Sequence, residues 1–150
     1  MIRRHSTFKG NDGTVFPLYN PLGLKASITP FFAGDLKTDH DHYALAPMTA
    51  VDLSNPVYGR NVIFEIDGER VFWNGQTETQ QDDTLEVETW PLVQKVTRQG
   101  KKTTITTTSY VALDDQVELH RITIRNVTGV PFTLRATTAI PLFGRSADNV

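Results

Sequence analysis

The densest group of side chains that could bind a metal ion is Asp39, His40, Asp41 and His42, with Asp35 close by. Carboxylates and imidazoles are common ligands of zinc and related ions in proteins. The same residue types also crowd into solvated loops, and prolines and glycines precede this group. We therefore predict a solvated loop without a metal ion, and no other cofactor.

Aromatic side chains could supply a second kind of chemistry, because the apolar C–H face of a sugar ring stacks on an indole or phenyl group. The candidates are Trp73 and Trp90, together with Phe31 and Phe32. Such residues also fill the core of a β-sandwich. Both roles therefore stay open for the tryptophans.

Acid–base catalysis needs two carboxylates that converge on a cleft from separate positions. The carboxylate pairs of this chain, Asp82-Asp83 and Asp114-Asp115, are adjacent in sequence and lie in predicted turns. The sequence also lacks the Gly-x-Ser-x-Gly motif of serine hydrolases and the Gly-x-x-x-x-Gly-Lys loop that binds nucleotide phosphates. We assign no catalytic residue.

The composition is typical of one soluble globular domain, with 150 residues, 39% hydrophobic and 21% charged. The formal net charge of −2 does not favour nucleic acid or an anionic membrane as a partner. No apolar run is long enough to span a membrane, and the basic residues 1–5 precede no apolar signal region. The chain has no cysteine, which is compatible with a reducing compartment. We expect a cytoplasmic protein.

The strongest strand signal is a hairpin. Residues 61–66 and 69–73 are rich in β-branched and aromatic types and flank Asp67-Gly68, a pair that a two-residue type I′ turn prefers. Residues 85–90, 92–98 and 102–112 then predict a meander with turns at 99–101 and 112–115. The threonines of residues 103–108 suit a half-exposed sheet surface.

The last third predicts two long strands, 116–126 and 132–142, with residues 126–131 closing a hairpin between them. Apolar residues repeat at even spacing in the second strand, which a complete sandwich would bury on one face. They are Phe132, Leu134, Ala136, Ile140 and Leu142. In the first strand Leu119 and Ile122 have opposite parity, which predicts a bulge near His120 or burial of both faces.

Signals before residue 43 are weaker. Residues 14–19 predict a short strand that Pro17 confines to a sheet edge or to a strand end, and residues 20–42 are predicted as a long loop. No window has helical periodicity with a cap. The sequence therefore predicts an all-β fold, an antiparallel β-sandwich with little or no helix, as a single domain or partial domain over residues 1–150.

Several stretches form a further pattern. They are 27–30 (SITP), 34–40 (GDLKTDH), 46–47 (AP), 51–53 (VDL), 60–61 (RN), 117–126 (VELHRITIRN) and, above all, 139–149 (AIPLFGRSADN). Together they resemble the amino-terminal region of the cellobiose and chitobiose phosphorylase family of inverting glycoside phosphorylases, including relatives that act on 1,2-β-glucans. Over residues 73–98 the match is one of pattern only.

This resemblance implies part of a longer enzyme, in which a large β-sandwich precedes a helical linker, an (α/α)₆ barrel with the catalytic aspartate, and a small β-domain. The implied reaction is reversible phosphorolysis of a β-glucoside with inversion. Inorganic phosphate is the co-substrate and replaces the activated water of an inverting hydrolase, so one carboxylic acid is enough. The implied partners are β-linked glucosides or oligosaccharides and a second copy of the enzyme. The chain alone would be inactive.

In that family, loops of the amino-terminal sandwich lie near the barrel mouth and the dimer contact. The resemblance therefore makes Arg145 and Asp148 candidates for binding substrate or phosphate, since a guanidinium donates to phosphate or hydroxyls and a carboxylate accepts from hydroxyls. A pair that only fixes the loop is the alternative. The segment from Gly34 to His42 is a second candidate, with a structural or interdomain role because its acidic residues would repel phosphate.

Two other functions stay open: a free-standing carbohydrate-binding module that uses exposed aromatic residues, and an assembly domain whose sheet edges meet a partner. As part of a larger sandwich, the chain would leave Phe132, Leu134 and Ile140 partly exposed and residues 142–150 unpaired. Its open edges would make the isolated chain self-associate.

Overall fold

The computed structural model describes residues 4–7, 15–47, 49, 59–74, 83–143 and 145–146. These residues form an all-β fold of three antiparallel sheets that pack as a sandwich, which confirms the predicted fold class. None of the described segments is a helix that could cross a membrane. The strands are β1 (Arg4–Thr7), β2 (Phe16–Tyr19), β3 (Lys25–Ile28), β4 (Leu36–Lys37), β5 (His42–Leu45), β6 (Asn61–Ile66), β7 (Glu69–Trp73), β8 (Thr84–Trp90), β9 (Val93–Gln99), β10 (Thr103–Val111), β11 (Glu118–Asn126), β12 (Leu134–Ala139) and β13 (Arg145–Ser146).

Strands β8 to β11 form a meander, and β1 pairs with β8 at its edge, which gives a five-stranded sheet of order β1-β8-β9-β10-β11. Alternation is clearest in β10, where every second side chain from Thr103 to Val111 is buried and those between are half-buried. Because threonine is β-branched, it fits both faces of this pleated strand. On the inner face of β10, Ile105 and Val111 pack in the core, and threonines line the outer face of the same strand.

The core lies between this sheet and two others, a five-stranded sheet of shorter strands, of order β13-β5-β4-β3-β2, and a three-stranded sheet of order β12-β6-β7. Its main cluster draws on all three sheets. The buried members are Leu18, Leu24, Ala26, Ile28, Phe32, Val62, Phe64, Phe72, Ile105 and Val111. Since burial of each large apolar side chain is worth ~1.5–3 kcal/mol, this cluster holds the layers face to face.

The predicted hairpin of β6 and β7 is confirmed. Asp67 and Gly68 have φ angles of 51° and 85°, and both are positive, as a type I′ turn requires. The turn also binds the residue before β12. The N–H of Asp67 donates to the carbonyl of Thr133 at 3.0 Å, and the N–H of Thr133 donates to Oδ1 of Asp67 at 2.9 Å.

The prediction of a long loop over residues 20–42 is wrong, because β3 and β4 lie within it. These strands are too short for a period of two to stand out. A tight turn joins them, in which Oγ1 of Thr29 accepts hydrogen bonds from the N–H groups of Phe31 and Ala33 at 3.2 and 3.1 Å. The preceding strand β2 carries Pro17 and lies at the edge of its sheet, as predicted.

Strands β11 and β12 do not form the predicted hairpin. β11 pairs with β10, whereas β12 pairs with β6, so residues 127–133 cross between sheets. The β10–β11 ladder runs without a register shift, so neither a bulge near His120 nor burial of both faces is found. Leu119 is 38% exposed on the outer face, and Ile122 packs against the core from the inner face.

Strand β12 is exposed along its whole length. Leu134 is opposite the buried Ile66 and shares its sheet face, yet it is 39% exposed. Phe132 is half-buried and Ile140 is 50% exposed, so the expected partial exposure is confirmed. In the described part of the chain β11 pairs only with β10 and β12 only with β6. We call this side of the sandwich, bordered by β11 and β12, the open side.

Candidate functional site

Two segments that the sequence marks as candidates meet in the structure. Arg145 of β13 pairs with Tyr43 of β5, and Ser146 pairs with His42. The N–H of Phe143 donates to the carbonyl of Ala44 at 2.7 Å. The expectation that residues 142–150 are unpaired is therefore wrong for these positions. We call this place, formed by residues 37–43 and β13, the β5–β13 corner.

Asp39 organises the loop at this corner. Its Oδ1 accepts hydrogen bonds from the N–H groups of Asp41 and His42 at 2.8 and 3.0 Å, and both carboxylate oxygens lie 2.8 Å from Nδ1 of His42. The backbone bond from Asp41, followed by the His42 side chain, lowers the pKa of Asp39 below its ordinary value. Asp39 is thus an ionised acceptor at neutral pH and not a proton donor.

The corner combines groups that suit sugar hydroxyls. Nζ of Lys37 lies 4.6 Å from the ring centre of Tyr43, so the ammonium group stacks on the aromatic face. The carboxylate of Asp39 and the imidazole of His42 are also exposed and contact each other, but His42 directly precedes Tyr43 in β5, so the side chains of His42 and Tyr43 lie on opposite faces of the strand. No group of three or more potential metal ligands occurs among the described residues. The corner therefore offers donors, an acceptor and an aromatic ring.

Of the two residues that the resemblance predicts to bind substrate or phosphate, the structure describes only one. Arg145 is placed by its backbone pairing with Tyr43, and Asp148 lies outside the described residues. Their roles toward phosphate or substrate stay predictions.

The tryptophans lie in different sheets. Trp73 ends β7 and is half-buried. Its Nε1 donates to Oδ1 of Asn61 at 3.0 Å, and the guanidinium of Arg70 lies 5.8 Å from its ring centre. Trp90 ends β8 and is half-buried on the outer face of the five-stranded sheet. Stacking on sugars stays a prediction for both.

The structure also contains a buried ionic cluster that was not predicted from the sequence. The guanidinium of Arg60, whose side chain is 2% exposed, donates from Nε and Nη2 to the two carboxylate oxygens of Glu118 at 2.6 Å each. It also donates to the backbone carbonyls of Ser27, Gly34 and Asp35 at 3.4, 3.1 and 3.1 Å. These five hydrogen bonds match the five N–H donors of the group. Arg60 thus joins β11 to the turn between β3 and β4.

His120 extends this cluster. Its Nδ1 lies 2.9 Å from Oγ of Ser109, and its Nε2 lies 3.1 Å from Oε2 of Glu118 without hydrogen-bond geometry. The edge of its ring faces Phe32, with centres 5.6 Å apart. We call Arg60, Ser109, Glu118 and His120 the Arg60 cluster.

Burial and charge act in opposite directions on Glu118. Burial raises the pKa of Glu118, but the contacts with His120 and Arg60 outweigh it, and the pKa is lowered overall. Ser109, His120 and Glu118 lie in the order that activates a serine nucleophile, yet Ser109 is only 2% exposed. No substrate could reach that hydroxyl. The Arg60 cluster is therefore structural.

One signal in the sequence could have revealed this cluster. Glu118 and His120 share the parity of Ile122, which faces the core. Charged residues at core-facing positions of a strand are costly unless they are paired. A buried cation from elsewhere in the chain was therefore required.

A scan against protein-family models and a search of curated proteins found no match to this chain.

Proposed function

We propose that this chain is the non-catalytic amino-terminal part of the β-sandwich of an inverting glycoside phosphorylase, a hexosyltransferase of carbohydrate metabolism. The proposal rests on the resemblance to that family of separate stretches within residues 27–61 and 117–149. The observation that supports it best is the open side. Apolar side chains that are exposed on a core-facing surface mark a place that further chain or a partner covers, and the further strands of a longer sandwich would cover it.

The open side fits this proposal in detail. Leu134 and Ala136 lie opposite Ile66 and Phe64, which are both buried, so the uncovered surface continues the core-facing side of the β12-β6-β7 sheet. Ile122 and Ile124 on β11 are only partly buried at the facing layer. Strands added beside β11 and β12 would close both layers together.

Under this proposal the chain provides side chains that bind substrate, and the catalytic acid lies outside it. Glu118 is ionised and tied to Arg60, so it is not the general acid that phosphorolysis requires. That acid belongs to the barrel, and inorganic phosphate is the co-substrate there. The β5–β13 corner would contact β-linked glucosides, because Lys37, Asp39 and Tyr43 suit hydroxyls. The enzyme would act in the cytoplasm, as a homodimer and without a cofactor.

The coding sequence beyond codon 150 provides the test. We expect the frame to continue into a long helical region. The extended protein should release a sugar 1-phosphate from cellobiose or 1,2-β-glucan oligosaccharides only when inorganic phosphate is present. The 150-residue chain, assayed beside it at equal concentration, should release none. A stop codon at this point, or turnover by the pure 150-residue chain, would overturn the proposal.

A free-standing carbohydrate-binding module is the second candidate. It is favoured by the position of Trp90, whose outward half-buried ring is in register with a second aromatic residue, Tyr110, across the five-stranded sheet.

A further inference from the structure

The register of β8 to β11 shows which side chains are neighbours on the outer face of the five-stranded sheet that these strands form with β1. Trp90 pairs with Val93, Val93 with Tyr110, and Tyr110 with Leu119. Directly opposed residues of antiparallel strands share a face, so these four side chains form one continuous row across β8, β9, β10 and β11. We call it the aromatic row. Its two rings are separated by two strand spacings, or roughly 10 Å.

Polar side chains line the aromatic row on one side. The adjacent row, one pleat away, contains Glu88, Lys95, Thr108 and Arg121. The row after that contains Glu86, Thr97, Thr106 and Thr123, and the hydroxyls of Thr97 and Thr106 lie 3.4 Å apart. Hydroxyls, an ammonium group and a guanidinium therefore lie beside the rings.

The charges next to the aromatic row largely cancel. Lys95 is paired with the buried carboxylate of Glu88. Arg121 is exposed and is the remaining cation of the row. A surface of mixed donors and acceptors complements a neutral polyhydroxylated ligand better than a strongly anionic one. Two aromatic side chains that lie two strands apart on one face also favour an extended ligand over a compact one.

We propose that this face binds an extended, neutral β-linked gluco-oligosaccharide, with sugar rings stacked on Trp90 and Tyr110 and their hydroxyls bonded to Thr108 and Arg121. The inference rests on the carbohydrate part of the proposed function and names a surface distinct from the β5–β13 corner. It does not depend on a catalytic barrel. Such binding would hold a polymeric substrate beside the enzyme.

Single-tryptophan variants provide the test, because the chain has two tryptophans. Trp73→Phe leaves Trp90 as the reporter, and Trp90→Phe leaves Trp73. Titration with β-1,4- and β-1,2-linked gluco-oligosaccharides should give a saturable shift of tryptophan emission in the first variant and none in the second. By calorimetry, Trp90→Ala and Tyr110→Ala should each weaken binding by about tenfold.

Three results would overturn the inference. One is the absence of binding to any of these oligosaccharides at millimolar concentration. Another is binding that survives both alanine substitutions. The third is binding of an acidic polyuronate alone, with salt sensitivity and loss in Arg121→Gln, since the arginine and not the rings would then carry it. None of these results bears on whether the extended protein performs phosphorolysis, so the two proposals can fail separately.

Discussion

At the scale of single residues, Arg60 makes the most demanding contacts of the described chain. Its charge is buried, and its donors are divided between the Glu118 carboxylate and three backbone carbonyls. Removal of one partner from a buried ion pair is far more costly than replacement of both, because an unpaired charge is left behind.

Glu118→Gln should therefore lower the free energy of unfolding by about 3 kcal/mol at pH 7. The matched control is Glu69→Gln, which removes the same charge from an exposed pair with Lys102, whose side chains are 58% and 45% exposed. That change should cost under about 1 kcal/mol. Urea unfolding followed by tryptophan fluorescence measures both. Equal losses in the two variants would show that the Arg60 cluster is not a stabilising pair.

The cost of Glu118→Gln should also depend on pH. Because the folded-state pKa of Glu118 is lowered, the unfolded chain binds the proton more readily, and stability rises with pH in that range. The contribution is complete above the ordinary glutamate pKa of ~4.3 and is lost as the pH falls through the lower folded-state value. The difference between wild type and Glu118→Gln should therefore shrink below about pH 4.

At the scale of elements, the turn between β3 and β4 depends on Gly34. Its φ angle is 130°, and a Cβ there would lie 2.5 Å from the carbonyl carbon of Ser27 and closer still to its oxygen. The carbonyl of Gly34 also accepts from Arg60. The turn thus has no room for a side chain at the point where it holds the guanidinium.

Gly34→Ala should destabilise the protein by about 3 kcal/mol or more, from backbone strain and overpacking together. Gly68→Ala is the matched control, because Gly68 also has a positive φ, of 85°, but a Cβ there would meet nothing within 4 Å. It should cost only the strain of a left-handed conformation, about 1–2 kcal/mol. Chemical unfolding of both variants decides this, and a smaller loss for Gly34→Ala would contradict it.

Elements held by local turns were predictable, and those held by distant partners were not. The Asp67-Gly68 turn and the threonine-rich β10 are determined by residues that are adjacent in sequence. The observed bounds of β6, β7 and β10 are therefore close to the predicted ones. The partner of β12 depends on a strand far away in sequence, which periodicity cannot identify. The Arg60 cluster was missed for a related reason: the core-facing positions of Glu118 and His120 indicate that a buried partner is needed, but nothing local identifies Arg60 as that partner. The alignment of Trp90 with Tyr110 also required the register.

At the scale of the whole molecule, we expect the open side to determine self-association. Among the described residues, exposed apolar side chains lie on β12, and β11 and β12 are each paired along one edge only, an arrangement that favours contact between chains. Lysine on an edge strand opposes such contact, because its charge would have to be desolvated.

Leu134→Lys should therefore weaken self-association of the 150-residue chain at least about tenfold, a loss of ~1.4 kcal/mol. Leu113→Lys is the control, since Leu113 is 65% exposed in the turn before β11, at the opposite end of β11 from the segment 127–133 that leads to Leu134. Light scattering after size-exclusion chromatography, over a range of concentrations, measures both. A wild-type chain that stays monomeric throughout, or equal behaviour of the two lysine variants, would refute this role of the open side.

The pairing of β12 with β6 also has a consequence for how the chain folds. The meander of β8 to β11 and the hairpin of β6 and β7 close short loops, whereas Asp67 and Thr133 are separated by 66 residues. Long loops close later because more chain entropy is lost before any contact is gained. On the ribosome, β6 must therefore wait with one edge unpaired until the whole meander has emerged.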